Sequence, residues 1–151
     1  MSPADIRPAR PEDALAIARL SGVLGRNNDD AKIRESLERL RVRDYEVVLV
    51  SEAASGEFVG WVHGADREAL GVGRRCEILG LVVDRAARGG GLGRRLVAAV
   101  EDWGRGRGLD EVLVRSNTLR QESHPFYEKL GYERSKTQHV YRKQLPGGGA
   151  I

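Results

Sequence analysis

The stretch Glu77-Ile78-Leu79-Gly80-Leu81-Val82-Val83-Asp84 leads through Arg85-Ala86-Ala87 into Arg88-Gly89-Gly90-Gly91-Leu92-Gly93. With Cys76 before it, the first part is a near-continuous apolar run of strand length, as expected of a strand in the middle of a sheet. Beyond the glycines, Leu92, Leu96, Val100 and Trp103 recur at steps of four, four and three, the apolar stripe of a helix lying on a sheet. Gly104 and Gly108 are expected to end that helix. A strand that runs through glycines into a helix has a chemical meaning. Glycine lets backbone approach a ligand closely, and the N–H groups of a helix N-terminus hold phosphate oxygens. Arg88 and Arg94 can add charge-assisted bonds.

The pattern Arg/Gln-x-x-Gly-x-Gly/Ala decides nothing by itself. With 24 Arg or Gln, 19 Gly and 34 Gly or Ala in 151 residues, roughly 0.7 chance matches are expected. The tail, Gln144-Leu145-Pro146-Gly147-Gly148-Gly149, fits equally well, but the chain ends two residues later and no helix follows. Only the match at Arg88 lies between a strand and a helix. A nucleotide P-loop would end in Gly-Lys-Ser/Thr, whereas Gly93 is followed by Arg94-Arg95, with no hydroxyl for magnesium. A dinucleotide fold would place Gly-x-Gly-x-x-Gly near its first strand, and here the helical crossover comes late.

Outward from this centre the chain alternates. Ala4 to Ala9 reads as a strand, and Pro11-Glu12-Asp13 opens a helix with Leu15 and Ala18 on its inner face. Asn27-Asn28-Asp29-Asp30 is a polar break and cap before a second helix carrying Ile33, Leu37 and Leu40. Tyr45 to Ala53 and Phe58 to Ala65 flank Ser55-Gly56-Glu57 as an antiparallel hairpin. Arg67 to Arg74, with two glycines, reads as a loop. Downstream, Glu111 to Arg115 is a strand, Arg120 to Leu130 a short helix, and Gly131 to Leu145 a last strand or hairpin. The fold class is therefore α/β, of mixed α+β type, with a parallel crossover only around the long helix. Residues 1–145 read as one domain and 146–151 as a frayed tail.

Composition bounds the function. Hydrophobic residues at 40% and charged residues at 31% are ordinary for a globular protein. No apolar run is long enough to span a membrane, and Met1-Ser2-Pro3-Ala4-Asp5 has no signal-peptide pattern, so a cytoplasmic protein with no membrane partner is expected. The net charge of +3 comes from 21 Arg and 4 Lys against 22 acids, spread along the chain rather than gathered, so no nucleic-acid partner is expected. The single cysteine, Cys76, beside a strand, reads as a small buried hydrophobe. No metal site is expected.

Leu81-Val82-Val83-Asp84 followed by Arg88-x-x-Gly91-x-Gly93 and a helix resembles the acetyl-CoA signature of the GNAT superfamily of N-acetyltransferases. Ser116-Asn117 and His124-Pro125-Phe126-Tyr127-Glu128-Lys129-Leu130-Gly131-Tyr132 resemble that family's second hallmark, in the same order and spacing. The specific part of the resemblance runs from Glu77 to Tyr132. It implies a GNAT-type fold: a central, mostly antiparallel twisted sheet of six to seven strands with about four flanking helices. It also implies acetyl-CoA as cosubstrate, a small-molecule or peptide amine as acceptor, and a homodimer as an open option.

Acyl transfer to an amine needs a deprotonated amine, a polarised thioester carbonyl and a proton for the leaving thiolate. By resemblance, the backbone of Leu81, Val82 and Val83 pairs with the pantetheine arm, and an N–H near Val82 faces the carbonyl. The loop Arg88, Gly89, Gly90, Gly91, Leu92, Gly93 and Arg94 takes the pyrophosphate, Asn117 contacts cofactor or bound water, and Tyr127 is the general acid towards sulfur. Glu77 stands eleven residues before Arg88, the offset of the general-base glutamate in the histone acetyltransferase branch. A carboxylate in an otherwise apolar strand suits that task; holding the amine without taking its proton is the other role open to it. His63 and His124 are further candidate bases, although a lone strand histidine is more often structural. The acceptor is expected near the first two helices and Asn27 to Asp30.

Overall fold

A computed structural model of the chain describes residues 5–23, 29–116 and 123–147. They form two compact units, Met1–Arg115 and Ser116–Ile151. The first unit is built on five strands in the order β1-β2-β3-β4-β5. Val- and Leu-rich β2 (Glu46–Glu52) and β3 (Phe58–Ala69) make the expected antiparallel hairpin, and β4 (Gly73–Val83) returns antiparallel to β3. The short β1 (Asp5–Pro8) pairs with β2 at one edge. At the other, β5 (Val112–Val114) joins β4 in parallel, which the long α3 (Leu92–Gly106) makes possible as a crossover.

Two expectations about strands are corrected. The stretch from Arg67 to Arg74 is the end of a hairpin rather than a loop throughout: only Leu70, Gly71 and Val72 form a turn, and the flanks are in register from Arg67↔Arg75 to Ala69↔Gly73. Its anchor is Asp66, which accepts hydrogen bonds from both Arg74 and Arg107. The Arg74 bond, and after it the one from Arg107, outweigh burial and hold this carboxyl below its usual range. Conversely, the described residues hold five strands rather than six to seven, and no strand lies in Gly131 to Leu145. That segment is exposed beyond Tyr132. Its large apolar residues, Val140, Tyr141 and Leu145, are few and all exposed, so the segment buries no apolar face that would hold a strand in place.

Helix α3 covers one face of the sheet with Leu92, Leu96, Val97 and Val100. The approach is close: a Cβ on Gly64 of β3 would stand 2.8 Å from Val100 Cγ1. The stripe ends on Gly104 rather than Trp103, because a Cβ on Gly104 would stand 3.2 Å from Cys76 Cβ, and the helix continues through Gly106. Trp103 is half-buried beneath the Arg107 guanidinium, 5.1 Å from its ring centre. Cys76 is fully buried. Burial, then the charges of Asp66 and Glu101, push its thiol up to about 11, so it behaves as the small hydrophobe expected.

The opposite face carries α1 (Ala14–Val23) and α2 (Asp30–Leu40), packed with Ala14, Ile17, Leu37 and Val50 in one cluster. Leu15, expected inward, is half exposed. Asp29 caps α2 by accepting from Lys32 N at 3.2 Å. Arg7 ties β1 to the turn before α1 with two 2.9 Å bonds to Asp13, and also bonds Glu52 of β2. Burial works against the Asp13 carboxylate, but the Arg7 and Arg10 bonds overcome it and hold its carboxyl below the usual range. The second unit contains α4 (Ser123–Lys129). No described helix is long and apolar enough to cross a membrane.

Candidate functional site

The feature that organises the site is an irregularity in β4. Pairing with β3 steps from His63↔Gly80 to Gly64↔Ile78, leaving Leu79 as an extra residue, a β-bulge. Pairing with β5 stops at the same place: it runs from Cys76↔Val112 to Ile78↔Val114 and no further. From Gly80 to Val83, β4 is paired to β3 on one side and, from Leu79 on, to no described strand on the other. Val82 is buried, Leu81 and Val83 are half-buried, and alternate backbone N–H and C=O groups along this run point to the unpaired side.

The open edge leads directly into the glycine loop. Asp84 accepts from Ala86 N at 3.1 Å and caps a single 3-10 turn, Arg85–Ala87. The chain then passes Arg88 in extended conformation and reaches Gly89 and Gly91 with φ of 88° and 82°. A side chain at either position would force the left-handed region, which explains glycine there better than lack of space does, since a Cβ at either meets nothing within 4 Å. The first helical bond of α3 is Arg95 N to Gly91 O, 3.0 Å. The N–H groups of Leu92, Gly93 and Arg94 therefore lie ahead of the helix's own bonding, beside exposed Gly90, Arg88 and Arg94. An anion is the natural partner of such a terminus.

Glu77 lies on the face away from α3. Its neighbour Cys76 meets Gly104 of α3, and strand alternation turns Glu77 the other way. It is 5% exposed and ion-paired with Arg115, which follows β5 two residues after its partner Leu113. The same face carries Trp61, whose Nε1 donates to Ser21 Oγ at 3.2 Å, and His63, whose Nε2 stands 2.9 Å from Glu46 Oε1. Arg43 donates to the other oxygen of Glu46 at 3.0 Å.

In the second unit, half-buried Tyr127 sits edge-on to Phe126, with ring centres 5.0 Å apart, and to Tyr132 at 5.8 Å. The C-terminal turn of α4 closes through Leu130 N and Tyr132 N on Tyr127 O, at 3.0 and 3.1 Å. Asn117, Asn27 and Asn28 lie outside the described residues, as does the side chain of His124. Sequence reading missed the bulge, although Gly80 inside an apolar strand is a signal of one. It also missed the partners Arg115 and Glu46, which no short-range pattern marks.

The acetyltransferase (GNAT) family model matches residues 18–132. The chain is 30% identical over 149 residues to the aminoglycoside N(6')-acetyltransferase type 1 of Stenotrophomonas maltophilia, covering 93% of each chain. It is 30% identical over 141 residues to glucosamine 6-phosphate N-acetyltransferase 1 of Oryza sativa subsp. japonica, covering 85% of this chain and 82% of that one. Among solved structures, the aminoglycoside acetyltransferase AAC(6')-Iy in complex with a CoA bisubstrate analogue superposes with a TM-score of 0.83 at 22% identity, over 95% of this chain and all of that one. Glucosamine-6-phosphate N-acetyltransferase from Arabidopsis thaliana superposes with a TM-score of 0.81 at 23% identity, with the same coverage of both chains. These structures share the mixed sheet-and-helix fold, and the family match takes in the open strand edge, the glycine loop and Tyr127: the chain belongs to the GNAT family of acetyltransferases.

Proposed function

We propose that the chain transfers the acetyl group of acetyl-CoA to a primary amine of a small molecule. The observation that carries this reading is the continuity of the β4 edge from Leu79 to Val83, which no described strand pairs, with the positive-φ glycine loop and the N-terminus of α3. Such an arrangement suits a ligand with an amide-bearing arm at one end and a pyrophosphate at the other. The backbone of Leu81, Val82 and Val83 would bond the arm, and Arg88, Gly89, Gly90, Gly91, Leu92, Gly93 and Arg94 would take the pyrophosphate. An N–H near Val82 would polarise the thioester carbonyl. Asn117 would contact the cofactor or bound water.

In the reaction the amine nitrogen attacks the thioester carbonyl carbon, a C–N bond forms, the C–S bond breaks and the thiolate leaves. Tyr127 would supply the proton that makes the thiol. Of the two roles open to Glu77, the ion pair with Arg115 favours the second: a carboxylate already committed to one cation offers its remaining oxygen to the substrate's ammonium. The aminoglycoside and glucosamine 6-phosphate acceptors in the names of two relatives favour an amino sugar or a similar amine over a peptide. Residues 1–145 would act as one catalytic domain, a reading supported by a family match that spans both compact units.

The test is release of free thiol from acetyl-CoA with a panel of kanamycin, glucosamine, glucosamine 6-phosphate, spermidine and a lysine-bearing peptide. Turnover with an amino sugar is the expected result. Tight CoA binding with no turnover across the panel would turn the chain into a CoA-binding regulatory module of the same fold. For Glu77, Glu77→Gln should raise KM for the amine and leave the acidic limb of the rate profile in place. Loss of that limb would restore Glu77 as the base.

A further inference from the structure

Building on the transferase reading above, we propose that His63, oriented by Glu46, is the group that takes the proton from the acceptor amine. A carboxylate oxygen can only accept a hydrogen bond, and Glu46 already accepts from Arg43 through its other oxygen. The 2.9 Å contact therefore fixes the proton of a neutral imidazole on Nε2 and leaves the lone pair on Nδ1. This is the logic of a base held in one tautomer by a carboxylate, with Arg43 in turn holding the carboxylate. A histidine serving only to pack in the sheet would not need two ordered charges behind it.

Placement gives that lone pair a task. His63 lies on the face away from α3, because its neighbour Gly64 meets Val100. Its partner on β4 is Gly80, which carries no side chain to cover the ring from that strand and which adjoins the bulge at Leu79. The imidazole thus lies one strand in from the start of the edge that no described strand pairs, with only Gly80 of β4 between, and the thioester arm would follow that edge. Glu77 is its diagonal neighbour on the same face, across Ala65↔Glu77, at about 7 Å by ordinary sheet spacing. Within this unit, the charged groups on that face include Arg43 and Glu46 at His63, Glu77 with Arg115, and, next along the strands, the pair Arg67↔Arg75, while α1 contributes Ser21 to Trp61.

The step balances without a further reagent. The acceptor arrives as an ammonium held by Glu77. One proton passes to His63 Nδ1, giving an imidazolium stabilised by Glu46, and leaves to solvent once the product departs. The neutral nitrogen then attacks the thioester carbon. Its second proton restores the donor that protonates the thiolate, so each turnover yields the amide, CoA thiol and one proton. Glu46 is a positioning residue, since it acts only through His63.

The test uses the full chain. Long-range nitrogen–proton correlation spectra of the histidines at about pH 8 should show His63 as the Nε2–H tautomer, and Glu46→Gln should mix the tautomers. With the amine of the panel that turns over, His63→Gln should lower kcat by about 100-fold and remove the acidic limb of the rate profile. The calorimetric Kd for CoA should stay unchanged. Glu46→Gln should lower kcat with KM for the amine unchanged, and Glu46→Asp should restore part of the loss. A dominant Nδ1–H tautomer, or a full acidic limb in His63→Gln, overturns the assignment of His63 and leaves the transferase reading standing. Failure of the unaltered chain to acetylate any amine would instead bring down the transferase reading, and this proposal with it.

Discussion

Replacing Gly91 separates two contributions that the loop makes to cofactor binding. Gly91 has φ of 82° and immediately precedes α3, and a Cβ built there meets nothing within 4 Å. Gly91→Ala therefore adds no clash, only the left-handed backbone penalty of about 1–2 kcal/mol. The expected effects are a modest fall in Tm and a weakening of CoA binding by up to about tenfold where the loop relaxes. Gly91→Glu carries the same backbone penalty and adds a carboxylate at the place proposed for the pyrophosphate. At about 6 Å from two negative charges the repulsion is ~1.4 kcal/mol in a water-like medium and ~5.5 kcal/mol at an effective dielectric of 20, so at least a further tenfold loss is expected. Isothermal titration with CoA reads both steps, and the gap between the variants should shrink as salt rises. If the Glu variant binds CoA within about twofold of the Ala variant at low salt, the pyrophosphate does not lie on this loop.

Tyr127→Phe keeps the edge-on contacts with Phe126 and Tyr132 and removes only the hydroxyl. Steady-state kinetics should show kcat down by about 100-fold, with calorimetric CoA affinity intact; an undiminished rate removes Tyr127 as the acid. Gly64→Ala places a methyl 2.8 Å from Val100 Cγ1 and 3.3 Å from Val47 Cγ1. Overpacking of about 1–3 kcal/mol should lower Tm by roughly 3–10 °C, measurable by calorimetry. Because Asp66 titrates below its usual value of 3.8, its contribution to stability is complete above that value and is lost as pH falls through the lower folded value. In acid unfolding followed by circular dichroism, Asp66→Asn should therefore be less stable than the parent near neutrality, and the two should converge in strong acid.

The parts of the fold that sequence reading reached are those governed by short-range apolar pattern. The run from Cys76 to Val83 lies within β4, and the stripe Leu92, Leu96, Val100 marks the buried side of α3. The glycine loop was legible because position, between strand and helix, supplied what the pattern alone lacked. What escaped depends on residues far apart in the chain. Arg67 to Arg74 carries loop-like glycines, yet Asp66 with Arg74 and Arg107 draws it into the ladder, and Arg107 lies 41 residues from Asp66. Arg115 lies 38 residues from Glu77 and Glu46 lies 17 from His63, so neither partnership leaves a periodic trace. A last strand or hairpin was expected over Gly131 to Leu145, but the segment buries no apolar face and joins no described ladder.

The abrupt end of the β4–β5 ladder also sets an order of opening. β3 and β4 are zipped from Gly60↔Val83 to Ala69↔Gly73, whereas β5 holds on only from Cys76↔Val112 to Ile78↔Val114. Local unfolding follows the least-supported hydrogen bonds, so β5 detaches at lower free energy than the hairpins beside it. Within the sheet, amide exchange should be faster along Val112–Val114 than in β3 and β4, and slowest in the centre of β3. A ligand lying along the open edge of β4 would bridge the weak seam, and slowed exchange in β5 on adding CoA would report its presence there without any acceptor amine. The sheet would then be most easily breached along the line proposed for the cofactor.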